Sequence, residues 1–219
     1  MRNLLLTIFL LLSSHSAYAC YDQGQSDKAN FDNCMAQAQQ GNAIAQFFLG
    51  QLYKNGDGVT QDSKQYVQWN RKSAEQGFAP AQYNVALWYD LGKGVKQDYK
   101  QAVQWYRKSA EQGYAPAQLL LGLWYDTGKS VTQDYKQAVQ WYRKSAEQGH
   151  APAQFKLGLL YSDGQGVTQD YVLAHMWLNI AASSGNKNAT KTRDILAKKM
   201  SSSQIEKAQD MAREWTAKH

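Results

Sequence analysis

A unit of 36 residues, repeated without insertion, decides what this chain can fold into, because a fixed period of that length stacks one small module on the next. Residues 77–112 and 113–148 agree at 28 of 36 positions, and 41–76 and 149–184 keep the same length and register. Four full units therefore occupy residues 41–184. The spacing reaches back further: 28–40 aligns with 64–76, so the N-terminal segment 20–40 carries half a unit.

Each unit reads as helix, loop, helix. In the second, a helix begins near Pro80, since proline is allowed in a first turn. Ala81, Val85, Ala86 and Tyr89 form one buried stripe, and Gly92 and Gly94 end the helix. A second helix starts at Asp98, a cap residue, with Gln101 completing a capping box. Asp62 with Gln65 and Asp134 with Gln137 repeat this pattern, while Asp170 has Leu173 in place of the glutamine. Ala102, Trp105, Tyr106 and Ala110 line the inner face, and small residues at Gly50, Ala86, Gly122 and Gly158 let paired helices approach closely. No unit has a core of its own, so burial must come from stacking. After Gly185 the pattern changes to C-terminal capping helices over 185–219: a polar helix over 189–200, a restart at Ser201 to Ser203, then a stripe of Ile205, Ala208, Ala212 and Trp215. These should cover the apolar Val172, Leu173, Met176, Leu178 and Ile180.

The third unit carries Ala117-Gln118-Leu119-Leu120-Leu121-Gly122-Leu123-Trp124-Tyr125, Gly128-Lys129-Ser130-Val131, Gln133-Asp134-Tyr135, Ala138, Trp141-Tyr142 and Ser145-Ala146-Glu147-Gln148-Gly149. This resembles the Sel-1-like repeat, a relative of the tetratricopeptide repeat, over residues 41–184. The chain departs from it at Ser130, which replaces a loop glycine, and at Asn70, which replaces the second aromatic of the Trp-Tyr pair. The resemblance implies an all-α, right-handed α/α solenoid and an adaptor role: envelope-complex assembly, secretion or host contact, or toxin immunity.

Residues 1–19 read as a signal peptide. Arg2 precedes an apolar run over 4–12, too short to span a bilayer, and Ala17-Tyr18-Ala19 forms a small-residue cleavage site. Cleavage after Ala19 makes the protein periplasmic or secreted and starts the mature chain at Cys20. In an oxidising compartment Cys20 can pair with Cys34. A lipid on Cys20, making an outer-membrane lipoprotein, is the alternative, although Ala17 stands where lipoprotein signals usually carry leucine.

Function is sought where the repeats differ. The second helices of units two and three are identical over 98–112 and 134–148. The differences are Phe78/Tyr114, Tyr83/Leu119, Asn84/Leu120, Val85/Leu121, Ala86/Gly122, Leu91/Thr127, Gly94/Ser130 and Lys96/Thr132. Most sit in or beside the first helix, which lines the concave side of helix-pair solenoids. Helical spacing places Phe48, Gln51 and Asn55 on one stripe, then Asn84, Leu87 and Leu91, then Leu120, Leu123 and Thr127, then Lys156, Leu159 and Asp163. Leu87, Leu120 and Leu123 should be exposed and bind a protein partner, with Trp88 and Trp124 either anchoring it or packing in the core.

The inventory disfavours other classes. Four scattered histidines leave no metal site, and no cofactor is implied. The formal charge of +6 falls to +5 without the signal, and residues 186–219 hold +4 of it. That concentration in the cap gives no nucleic-acid groove, and Lys198-Lys199 reads as a solvated face. The expectation is a non-enzyme. Some secreted relatives of this repeat are linked to β-lactam binding or hydrolysis, and Ser184-Gly185-Asn186-Lys187 matches the letters Ser-x-x-Lys of such enzymes. Gly185 should break the helix that motif needs. Those relatives also carry a disulfide in each repeat, which this chain lacks. His150, in the slot of Phe78 and Tyr114, reads as packing.

Overall fold

The structure, a computed structural model, describes residues 20–219, so the proposed signal lies outside it. The described residues form eleven α-helices and no strand. First helices of the hairpins are α2 (Ala43–Asn55), α4 (Ala79–Leu91), α6 (Ala115–Thr127) and α8 (Ala151–Asp163). Second helices are α3 (Ser63–Glu75), α5 (Tyr99–Glu111), α7 (Tyr135–Ala146) and α9 (Tyr171–Ser183). α1 (Asp27–Gln39) starts 36 residues before α3, and α10 (Lys187–Ala197) 36 residues after α8; α11 (Ser202–Lys218) ends the chain. The fold is all-α, a succession of helical hairpins. Two compact units result, one ending at Gln97 and the other spanning Asp98–His219.

The capping boxes expected at the second helices form only in half. Asp62, Asp98, Asp134 and Asp170 all accept backbone N–H groups of the first turn. The reciprocal bond from the glutamine is not made at Asp62 or Asp134, because the N–H it would bind is already used: Asp62 N donates to the Tyr53 carbonyl at 2.9 Å and Asp134 N to Tyr125 at 2.9 Å. Asp170, without a glutamine, does the same with Tyr161 at 3.0 Å. At these three positions the aspartate N–H therefore fastens the second helix of the hairpin to the first. A complete capping box forms at α11, between Ser201 and Gln204.

Close packing follows the small residues. A Cβ on Gly122 would lie 2.7 Å from the Tyr142 ring, one on Gly158 2.8 Å from Leu178 Cγ, and one on Gly50 would overlap the Asn70 amide. Buried glutamines then hold successive hairpins: Gln46, Gln82, Gln118 and Gln154 donate to the carbonyls of Ala38, Ala74, Ala110 and Ala146 at 3.1–3.2 Å. Each adds a second bond to a helix-end carbonyl that already accepts a backbone N–H, from Gly41, Gly77, Gly113 and Gly149 respectively. Gln76 and Gln148 in turn donate to Gln46 and Gln118 at 2.7 and 2.8 Å. At Gln154 the corresponding donor position is Ser184, too short to reach, and Gln154 Oε1 has no partner.

Both ends are covered. Cys20 and Cys34 form a disulfide with Cα atoms 4.5 Å apart. It holds the N-terminal segment on α1, where Asp22 N donates to Asn30 Oδ1 at 2.8 Å and Asn33 Nδ2 to the Cys20 carbonyl at 3.2 Å. At the other end α10 begins two residues before the expected start, because Asn186 caps it by accepting from Ala189 N at 3.0 Å, and it stops at Ala197. Trp177 meets Trp215 edge to face at 5.7 Å, and Met176, Leu178 and Ile180 are buried with Ala212 as the apolar face of α9 required.

Ser130 is the one non-glycine residue with positive φ among the described residues, at 60°, where Gly58, Gly94 and Gly166 stand in the other units at 71–74°. A left-handed serine is strained by about 1 kcal/mol. Ser130→Gly should therefore raise the melting temperature by about 2–4 °C, measured by circular dichroism.

Candidate functional site

The accessible surface of the first helices is smaller than the sequence stripe implies. Phe48 is buried, because Tyr21 of the disulfide-held segment stacks on it at 6.1 Å while Phe47 meets it edge to face at 5.6 Å. Trp88 and Trp124 are also buried. Trp88 meets the Tyr66 ring at 5.2 Å and Trp124 the Tyr106 ring at 5.4 Å, both edge to face, so each ring packs against its own unit. Asn84 is half-buried and gives its amide to Asn70 Oδ1 at 2.9 Å. It answers the asparagine that replaces an aromatic in the first unit. Burial pushes the ionisation of the Tyr66 hydroxyl upward, against an opposing pull from the Trp88 and Gln51 side chains.

The leucines expected to be exposed are half-buried instead. Leu87, Leu123 and Leu159 occupy one slot of three consecutive first helices, and Leu120 lies beside Leu123. Leu123 packs partly against the core of the second unit. Leu91, 55% exposed, and Thr127, also exposed, are the last residues of α4 and α6. Lys156, half-buried, sits 3.9 Å from Asp126, which also accepts the Tyr142 hydroxyl at 3.0 Å. Burial, then the Asp126 carboxylate, push that tyrosine's ionisation far above its ordinary value.

A recurring clasp escaped the sequence reading. The guanidinium of Arg71 donates to the Tyr89 hydroxyl at 3.0 Å, Arg107 to Tyr125 at 3.0 Å, and Arg143 to Tyr161. The neighbouring Lys72, Lys108 and Lys144 lie over Trp69, Trp105 and Trp141 at 4.2–4.5 Å. The Arg-Lys pairs thus splint the hairpins. Their signal was the constant spacing of 18 residues from arginine to tyrosine.

No catalytic arrangement takes shape around the residues considered. Ser184 ends α9, Gly185 turns with φ 86°, and Lys187 opens α10, so serine and lysine are not one turn apart on a helix. Among the described residues no three His, Cys, Asp or Glu side chains converge. His150 shares a 3.0 Å hydrogen bond between Nδ1 and Ser145 Oγ, in the packing slot foreseen for it. Burial holds its proton affinity below the usual histidine value, and His175 is lowered by burial and then by Arg193, against an opposing pull from Asp194. The unfolded chain, titrating near about pH 6.5, then binds protons the folded chain refuses. Stability is complete above that pH and is lost as pH falls below it toward the lowered folded-state values. The melting temperature should drop from pH 7.5 to pH 5, and His150→Tyr, the residue at position 114, should lessen the drop.

Stacked 36-residue hairpins held by buried glutamines and glycine contacts define a helix-pair repeat protein. The chain belongs to the Sel1 repeat family, whose model matches residues 43–78, 79–114, 115–150 and 151–186. Its windows keep the 36-residue period, offset by two positions. A Sel1 repeat protein from Oxalobacter formigenes is 39% identical over 78% of this chain and 50% of its own length, with a TM-score of 0.74. A protective antigen from uropathogenic Escherichia coli strains, displaying the SLR fold, is 33% identical over 91% of this chain and 51% of its own, with a TM-score of 0.60. The chain thus spans about half the length of these two relatives. An immunity protein from Pseudomonas aeruginosa, 19% identical over 96% of this chain and 85% of its own length (TM-score 0.56), shares the fold. No curated protein matches the chain. Sel1-repeat proteins are protein-interaction scaffolds, and the fold is typically non-enzymatic. Among the described residues no helix is long and apolar enough to cross a membrane.

Proposed function

We propose that this protein is a periplasmic or secreted scaffold whose first helices bind a protein partner, with the accessible residues Leu87 and Leu91 in the first unit and Leu120, Leu123, Thr127 and Leu159 in the second. What supports this reading is the leucine that recurs at positions 87, 123 and 159 and is only partly buried in each helix. An apolar side chain kept at the surface in the same slot of successive repeats serves contact better than folding. Gln51 makes that slot polar on α2 of the first unit, and Lys156 adds a charge on α8 of the second. The Cys20–Cys34 disulfide supports an oxidising compartment, as does the charged, apolar and small-residue order of residues 1–19. With the Cys20 sulfur in the disulfide, the scaffold needs no lipid there. The test is a crosslinking pull-down from envelope extracts with Leu87, Leu120 and Leu159 changed to Asp. Leu123 is left intact because it also packs on the core. The partner captured by the wild-type chain should be lost from the folded variant; undiminished capture contradicts the assignment.

A further inference from the structure

Trp124 in the second unit is boxed in by its own chain. Tyr106 meets it at 5.4 Å and Tyr99 at 6.1 Å, both edge to face, and Lys129 Nζ lies 4.4 Å above the Tyr99 ring and 5.2 Å from Trp124. The corresponding residues of the first unit, 36 positions earlier, are Trp88, Asn70, Ser63 and Lys93. Tyr66, where the other units have alanine, takes over the part of Tyr106 by meeting Trp88 at 5.2 Å. Among the described residues no ring takes over the part of Tyr99. Ser63 leaves a cleft of about 570 Å³ whose floor is Tyr66, Val67 and Trp88.

The loop beside the cleft is also set back. A Cβ on Gly58 would overlap the backbone of Asp27, 31 residues earlier, and one on Gly166 would overlap Tyr135 at the same offset. In those two places the loop closes on the start of the preceding second helix. Gly94 bears that relation to Ser63, yet the nearest atom to its Cβ is Val67 Cγ2 at 3.9 Å. An absent ring and a loop standing away from it therefore coincide at one point. Lys54, Lys64 and Lys93 line the same cleft and are exposed, with Lys54 Nζ 5.5 Å from the Tyr66 ring.

We infer that this cleft takes an aromatic side chain from an acidic segment of the partner protein, seating the ring against Trp88 where Tyr99 sits against Trp124. The ring supplies the missing edge-to-face contact. The three ammonium groups at the rim favour flanking carboxylates and disfavour basic sequences. The volume falls within the range of ligand sites and exceeds one ring, leaving room for the neighbouring residues of a peptide. This rests on the scaffold reading only in making the occupant a protein segment; the site is separate from the leucine slot.

The test is calorimetric titration of the full mature chain with an acetylated, amidated Glu-Asp-Tyr-Asp-Glu peptide, at low and high salt. Binding should weaken with salt, and should fall by about tenfold or more when alanine replaces the peptide's tyrosine. Ser63→Tyr should abolish it by filling the cleft with the residue found at positions 99, 135 and 171. Lys64→Glu with Lys93→Glu, both on exposed side chains, gives a second variant that should weaken binding without touching the packing. Absence of binding to the wild-type chain, or equal binding by Ser63→Tyr, overturns the inference. In that event, partner capture that still depends on Leu87, Leu120 and Leu159 leaves the scaffold reading standing. If instead the cleft binds the peptide and capture is indifferent to those leucines, only the leucine face is removed.

Discussion

Replacing Tyr142 by alanine should lower the stability of the second unit by about 3–5 kcal/mol. The side chain is fully buried, its ring fills the space that Gly122 leaves on α6, and its hydroxyl reaches Asp126. Truncation therefore opens a cavity and removes a charge-assisted hydrogen bond together. Tyr142→Phe separates the two effects and should cost only about 1–2 kcal/mol, since Asp126 keeps Lys156 nearby. Gly122→Ala should be destabilising beside the tyrosine, where the new Cβ has 2.7 Å of room, and tolerated in the double variant with Tyr142→Ala, where the ring is gone. Urea unfolding of the wild type, the two single variants and the double gives the coupling directly. A Tyr142→Ala chain as stable as the wild type contradicts the interlocking of glycine and ring that the fold depends on.

Loss of the disulfide should be the other large effect. Cys20 and Cys34 are separated by 14 positions, and closing a loop of that size is worth about 3 kcal/mol. The bond also holds Tyr21 over Phe48, so its removal should uncover an aromatic pair at the N-terminal end of the first unit. Cys20→Ser with Cys34→Ser should unfold at lower urea, and hydrogen exchange should rise in α1 and the segment before it while α9 to α11 remain protected. Unchanged exchange in α1 contradicts a structural role for the bond.

Much of this was legible from the repeat. The period set the hairpins, the glycines at 50, 122 and 158 marked close helix contacts, and Ser130 marked a departure at a loop glycine, because each is a local rule applied at a constant interval. The candidate face was legible only in part. Helical spacing assigns a side chain to a stripe, but what lies across from that stripe is set by other elements. Phe48 disappears beneath Tyr21, which no periodicity connects to it. Asn84 differs from Leu120 because Asn70 differs from Tyr106, so a contrast that looks like binding specificity is an internal amide pair. Val85/Leu121 and Ala86/Gly122 are likewise core substitutions. The half capping boxes have the same origin: the local motif loses to a backbone bond between helices.

Partner contact through the first helices can be read out by position. A photo-crosslinking side chain placed at Leu91 or Thr127, both exposed at the ends of α4 and α6, should capture the partner in envelope extracts. The same group at Gln104 or Gln140, exposed on the second helices, should not. Capture from the second-helix positions with none from the first-helix positions contradicts contact through the first helices.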